Sequence, residues 1–495
     1  MHKIGVKGKF LQIIKSMYGN INSCIQITDG ICSEFFKSNK GIMQGDSLSP
    51  LLFNTFMNDI PNFLKISNCP GVTLANKSIN CLMFADDLVL MSSSANGLQK
   101  SINSLYNHAK KWNLKINISK TNAMIFCKNG HFLNKYKFNI NNTNIETVDK
   151  QTYLGITLTP SGKFAYARTV LSNKARKTLG YIKSLISNCT RVSILLLCKL
   201  FDALVKPVLM YGCEIWGPEL FSGKKNFDQT EIEKTHLDFC KRILNIPFFA
   251  ANEKVRAELG RYPLSIDIKK QIAKYYLRLK YNSNNSILQT AFNYATSKMT
   301  DFKNITSQLE KLKEIENTIN IPVNKEKIKI MGKEMDKYLK DSFEKTFFAS
   351  LSKDNETTEK IYFKHLKYTY RTEEYLTVIN IPEYRKAISR FRLGIHKLRI
   401  NSGRYENRGA PIPIEERVCR FCKCNKLENI THFIMECDNY NLLREPFISK
   451  ITQTCPSFSG LSKKEKTIFI LNQNSKDVYY LVGKYLHEIY AKRIS

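Results

Sequence analysis

The chain has 495 residues, 43 % of them hydrophobic and 24 % charged, the balance of a folded globular protein and not of a disordered or fibrous one. Lysine and arginine total 76 against 43 aspartates and glutamates, a formal charge of +33 that points to polyanionic partners, nucleic acid above all. No run supplies the roughly 20 apolar residues that cross a bilayer, and the amino terminus M-H-K-I-G-V-K-G-K-F lacks an apolar signal core, so no membrane and a reducing intracellular compartment, nucleus and cytoplasm, are expected.

Residues 1–160 contain no arginine and mix strand-like runs with two helix patterns. In G-I-M-Q-G-D-S-L-S-P-L-L-F-N, 41–54, Gly41 and Gly45 leave the backbone bare beside Gln44, where it can lie against a base pair. A helix follows, with Ser49 as expected N-cap, Pro50 in its first turn and Pro61 as its stop. The run C-L-M-F-A-D-D-L-V-L-M, 81–91, reads as a buried strand that carries Asp86 and Asp87. Neighbouring strand residues point to opposite faces, so these two carboxylates converge only at a tight bend, with L-V-L-M as the return strand. Buried without a cation they would be costly; Mg²⁺ prefers such hard oxygens, and a pair of such ions serves nucleotidyl transfer. The competing reading is a turn with two solvated aspartates. A second helix is expected over 97–112, with Leu98, Ile102, Leu105, Ala109 and Trp112 on one face, and strands around 123–127 and 153–158.

From about 163 to 380 the pattern becomes long, basic and helical, as at 168–187 with Leu171, Ala175, Leu179, Ile182 and Ile186 on one face. The softest points, 283–286 and 319–330, are the expected linkers. Of fourteen cysteines, four crowd into 419–437. Cys419, Cys422, His432 and Cys437 have the spacing C-x2-C-x9-H-x4-C that suits one tetrahedral, closed, structural Zn²⁺, with Cys424 a rival ligand. Just ahead, 388–405 sets Arg390, Arg392, His396, Lys397 and Arg404 among Phe391 and Tyr405, a pattern for phosphate contact and base stacking. The solvated face of a basic helix is the alternative.

In order and spacing, segment 41–54, F-A-D-D, W-N-L-K-I-N-I-S-K-T and Y-L-G-I resemble the palm motifs of reverse transcriptases, most closely those of non-LTR (LINE, jockey-like) retrotransposons. L-F-D-A-L-V-K-P-V-L-M-Y-G-C-E-I-W-G, E-L-G-R-Y-P-L and the terminal cysteine knuckle resemble later parts of the same enzymes. The resemblance implies an α+β right hand with an incomplete palm at 1–162, a helical thumb and connection at 163–282, a lysine-rich helical linker region at 283–384, and a basic helix plus zinc knuckle at 385–495. It implies RNA-directed DNA polymerisation from dNTP, on an RNA template and a DNA primer or target. Asp86 and Asp87 then hold two catalytic Mg²⁺, Gln44, Gly45 and Phe84 line the substrate site, and Lys120 protonates the leaving pyrophosphate. One departure stands out: the family has a further metal-binding aspartate in an aromatic-rich strand upstream, and Asp29, Asp46 and Asp59 lack that context. The expectation is therefore a fragment of an element with little polymerase activity by itself. The alternative is a non-catalytic nucleic-acid-binding remnant or a domesticated, element-derived binding protein.

Overall fold

The structure, a computed structural model, describes all residues except 2–4, 20, 39–40, 132–134, 187–191, 222–225, 283–285, 299–305, 320–324, 353–359, 407–409, 474 and 495. They fall into two units: Met1–Gln151 with Thr159–Gly162 and Asn285–Ala295, and Thr152–Leu158 with Lys163–Asn284 and Thr296–Ser495.

The first unit mixes helices with small sheets. Cys81–Phe84 and Asp87–Leu90 form an antiparallel hairpin, and Phe138–Ile140, Thr143–Thr147 and Asn122–Ala123 a three-stranded sheet with the middle strand central. The amphipathic helix Ala95–Lys111 serves both. Its Ile102 packs with Phe138, Ile140 and Ile145 of the sheet, while its Leu105 joins Ile60, Leu64 and Met57 beneath the hairpin. This helix begins two residues before the expected start, with the Ser94 hydroxyl at its cap accepting from the Gly97 N–H at 3.1 Å.

The helix after Gly45 departs from expectation at both ends. Leu48, not Ser49, holds the cap position of Ser49–Met57, and Ser49 lies buried within the first turn. The cap's role passes to Asp46, whose carboxylate accepts from the Ser49 N–H and hydroxyl, each at 3.1 Å. Pro61 does not stop a helix but sits in the first turn of the next, Ile60–Ile66, where its missing N–H costs nothing. The strand expected at 123–127 shrinks to Asn122–Ala123, and that at 153–158 becomes two, Gln151–Tyr153 and Ile156–Leu158. Leu154 and Gly155 between them both take positive φ, the requirement of a two-residue hairpin turn.

The second unit is helical. The helix expected at 168–187 spans Ala165–Ile186 and packs against Glu231–Ile243. One core runs from Leu171 through Trp216, Phe363 and Phe391 to Tyr490 and takes in Cys419 and Cys437. A second, between Leu264–Asn282, Thr306–Thr318 and Lys325–Ser352, contains Leu277, Leu312, Met331 and Met335. Of the expected linkers, 283–285 and 320–324 lie outside the described residues, whereas Lys325 opens a 28-residue helix. Among the described residues no helix is long and apolar enough to cross a membrane.

Candidate functional site

Phe84 pairs with Asp87 across the hairpin, so Ala85 and Asp86 form a two-residue turn. Ala85 takes φ +52°, a left-handed conformation that costs a residue with a Cβ about 1–2 kcal/mol. The tight bend anticipated for the carboxylate pair is thus present, with Asp86 on the turn and Asp87 opening the return strand. The register sorts the side chains. Met83 with Leu88 and Cys81 with Leu90 face the core under the hairpin, while Leu82, Phe84, Val89 and Asp87 share the other face.

That sorting corrects the expected buried strand. Asp86 and Asp87 are exposed, Phe84 is 63 % exposed, and a two-stranded ribbon packed on one side has no interior at its tip. The carboxylates therefore bear no large desolvation penalty, and a cation is not required for the chain to fold around them.

Gln44 and Gly45 are exposed, and Gly45 takes φ +89° with nothing within 4 Å of where a Cβ would stand, so the backbone there is bare as expected. Sequence reasoning missed what fixes this turn: the Tyr18 hydroxyl donates to Asp46 at 2.8 Å across 28 residues, a separation no local pattern reveals. That hydrogen bond, with backbone N–H groups and Ser49, holds the Asp46 carboxyl below its usual range. Asp59 stands 3.4 Å from the buried His108. Lys120 is exposed on the short turn Ile118–Lys120. Among the described residues no third acid, histidine or cysteine joins Asp86 and Asp87 in a metal-ligand group.

Such a group does form at 419–437. The donor atoms of Cys419, Cys422, His432 and Cys437 lie within 4.8 Å of one another. Cys419 Sγ is 3.8 Å from Cys437 Sγ, and Cys422 Sγ is 3.4 Å from His432 Nε2. A tetrahedral ion with metal–sulfur bonds of about 2.3 Å and metal–nitrogen bonds of about 2.0 Å demands edges of about 3.8 and 3.5 Å, so the residues fit one ion. The hydrogen bond from Cys437, with His432 and backbone N–H groups, draws the Cys419 thiol well below its ordinary value, toward the thiolate a metal needs. Glu436 stands 3.6 Å from His432 Nδ1, one turn along, close enough for an ion pair but too far for a hydrogen bond. Cys424 drops out: its thiol donates to Asp438 at 2.9 Å and is pushed up to about 12 by that carboxylate.

The basic segment divides. Lys397 and Arg404 are exposed, and Arg390 is partly exposed with its guanidinium 4.1 Å from the Tyr490 ring centroid. Arg392 and His396 are withdrawn from the expected nucleic-acid face. Arg392 is buried between Glu258, at 2.5 Å, and Glu373, at 2.6 Å, and His396 stacks on Phe391 in the core. Glu258 opens the E-L-G-R-Y-P-L motif, whose work is therefore structural. Gly260 lets the Thr372 backbone approach where a Cβ would collide, and Arg261 pairs with Asp202 at 2.7 Å.

Residues 1–158 match the family model described as reverse transcriptase (RNA-dependent DNA polymerase). This part of the chain is similar to the reverse transcriptases. Its relatives are polymerases and polyproteins of transposons and retrotransposable elements. A probable RNA-directed DNA polymerase from transposon BS of Drosophila melanogaster is 23 % identical over 248 residues, 48 % of this chain and 26 % of the relative. The RNA-directed DNA polymerase from mobile element jockey of Drosophila funebris is 22 % identical over 286 residues, 56 % of this chain and 29 % of the relative. A Pol polyprotein from the type-2 retrotransposable element R2DM of Drosophila melanogaster is 31 % identical over 142 residues, 27 % of this chain and 13 % of the relative. The chain thus spans roughly a quarter of the length of the first two. The reverse transcriptase match contains the hairpin 81–90 and the glycine turn 41–45; the cysteine group lies outside it.

Proposed function

We propose that this chain is part of an RNA-directed DNA polymerase of a non-LTR retrotransposon, with residues 1–162 contributing to the palm and 163–282 to a helical thumb and connection. The observation that carries this reading is the pair of adjacent carboxylates at a hairpin tip, Asp86 on the two-residue turn and Asp87 opening the return strand, inside the segment that matches reverse transcriptases. Asp86 and Asp87 would hold Mg²⁺, which when bound supplies the positive charge that favours the primer hydroxylate and the leaving pyrophosphate. The bare backbone at Gln44–Gly45 accommodates the template–nucleotide pair, Phe84 borders it, and Lys120 gives a proton to the pyrophosphate. Lys397, Arg404 and Arg390 contact the nucleic-acid backbone. Cys419, Cys422, His432 and Cys437 hold a Zn²⁺ that, with four protein ligands and no open position, fixes structure and performs no chemistry.

Two carboxylates ligate a metal pair weakly, so primer extension by this chain by itself is expected to be slow. Metal binding is the sharper test. Mn²⁺ followed by electron paramagnetic resonance should bind the wild-type chain and lose that site in Asp86→Asn/Asp87→Asn, with thermal stability unchanged. Identical Mn²⁺ binding in both proteins would reject the assignment, as would extension on an RNA template that survives the double substitution.

A further inference from the structure

Two large aromatic side chains stand in solvent where folding gives them no reason to. Phe248 is 85 % exposed and Phe249 72 %. They are the central residues of a turn closed by the Ala250 N–H donating to the Pro247 carbonyl at 3.2 Å. This turn is held rigidly. The helix Glu231–Ile243 ends with Asn245 at φ +52°, the Asn245 N–H donating to Arg242 and the Ile246 N–H to Lys241, the paired bonds of a glycine-type helix stop. The Lys241 ammonium then reaches over to the Phe248 carbonyl, and Leu244 and Ala250 are buried on either side. The rings meet edge to face, with centroids 6.0 Å apart and planes at 78°. Rigid display of apolar rings costs little entropy on binding and much solvation without it.

Beside this turn, Asn245, Ile246 and Pro247 form one wall of a cleft of about 330 Å³, and Lys386, Arg390 and Ile395 form the other. Lys386 and Arg390 are one turn apart on the helix Pro382–Arg392. No carboxylate lines the cleft. Neither cation has an acidic partner among the described residues, in contrast to Arg256, Arg261, Arg392 and Arg493, each of which is ion-paired. Arg390 is steadied instead by the Tyr490 ring.

We propose that the Phe248–Phe249 turn and the Lys386–Arg390 cleft form one docking site for an unpaired stretch of nucleic acid, a phosphate entering the cleft and an adjacent base stacking on a phenyl face. Cations without acids attract phosphate, and an exposed ring accepts any base whose own partner strand is absent. A duplex keeps its bases stacked inside and offers only the phosphates, so the site prefers single strands. It draws on the nucleic-acid reading of the chain but not on metal chemistry at Asp86 and Asp87.

The test uses the full chain and a fluorescein-labelled 20-nucleotide RNA, single-stranded or paired with its complement, read by fluorescence anisotropy. Phe248→Ser/Phe249→Ser is expected to weaken single-strand binding roughly tenfold or more and duplex binding less than twofold, with an unchanged melting temperature. Lys386→Glu/Arg390→Glu should weaken both and flatten the salt dependence. A strand carrying 2-aminopurine should be quenched by the wild type and not by the phenylalanine double variant. Unchanged single-strand affinity in a folded phenylalanine variant would overturn the proposal, and so would an equal loss on duplex. Capture of phosphatidylserine vesicles that depends on the same phenylalanines, with RNA binding unaffected, would overturn it in favour of a membrane surface. Asp86→Asn/Asp87→Asn should bind the single strand normally, so a failed polymerase reading leaves this result independent.

Discussion

At the scale of single residues, the chain separates charges that hold the fold from charges that are free to act. Arg392 illustrates the first kind: its guanidinium lies in the core between Glu258 and Glu373 and donates to the Leu471 carbonyl at 2.6 Å, and the Tyr375 hydroxyl completes the Glu258 shell at 2.8 Å. Arg392→Met would leave buried carboxylates uncompensated and is expected to cost about 3–5 kcal/mol in urea unfolding. Arg404→Ala, on an exposed side chain, should alter stability by less than about 0.5 kcal/mol. Asp46 is a milder case. Its carboxyl is held down chiefly by the Tyr18 hydroxyl, so its folded-state pKa lies below the unfolded one. The stabilisation is therefore present above the ordinary aspartate value near pH 4 and lost as pH falls through the lower folded value. Thermal melts from pH 6 to 2.5 should show wild type losing stability in that acid window and Asp46→Asn losing less, with the two curves converging at the acid end.

Among the elements, the hairpin and the cysteine group differ in what they ask of the chain. The hairpin 81–90 packs one face on Ile60 and Leu64 and displays the other, so its acids are available to solvent and metal without distorting the core. The cysteine group is the opposite. Cys437, Cys419 and His432 are buried and their neighbours Phe433 and Ile434 belong to the large core, so ligands and core are ordered together. Binding energy at such a site becomes folding energy. Treatment with a high-affinity zinc chelator should lower the main melting transition by at least about 5 °C and expose the three ligand thiols, Cys419, Cys422 and Cys437, to a colorimetric reagent. Cys424→Ser should leave the chelator effect intact, because that thiol faces Asp438, whereas Cys437→Ser should abolish it.

Over the whole molecule, the charge of +33 sets how the protein meets its partners. RNA affinity should fall steeply with salt, with log affinity against log salt giving a slope of several negative units, about 0.7 for each phosphate contact on a single strand. A flat response from 50 to 300 mM salt would dissociate the charge from function. Periodicity made the helix Ala95–Lys111 and the length of Ala165–Ile186 readable, because a helix's inward stripe repeats within a few residues. Local chemistry likewise pointed to the tight bend at Ala85–Asp86, since neighbouring strand residues otherwise face opposite ways, and to the four donors at 419–437, since their types and spacing are those of one tetrahedral site. Long-range pairing decided the rest. Whether a basic residue faces RNA or a carboxylate from 134 positions away, as Arg392 faces Glu258, depends on which helices pack together. So does the exposure of Asp86 and Asp87, for an apolar strand sequence states that a face can be buried but not whether anything covers it. Residue type and spacing act over a few covalent bonds and are written in the sequence; burial and ion pairing are properties of the assembled core, and only the tertiary structure fixes them.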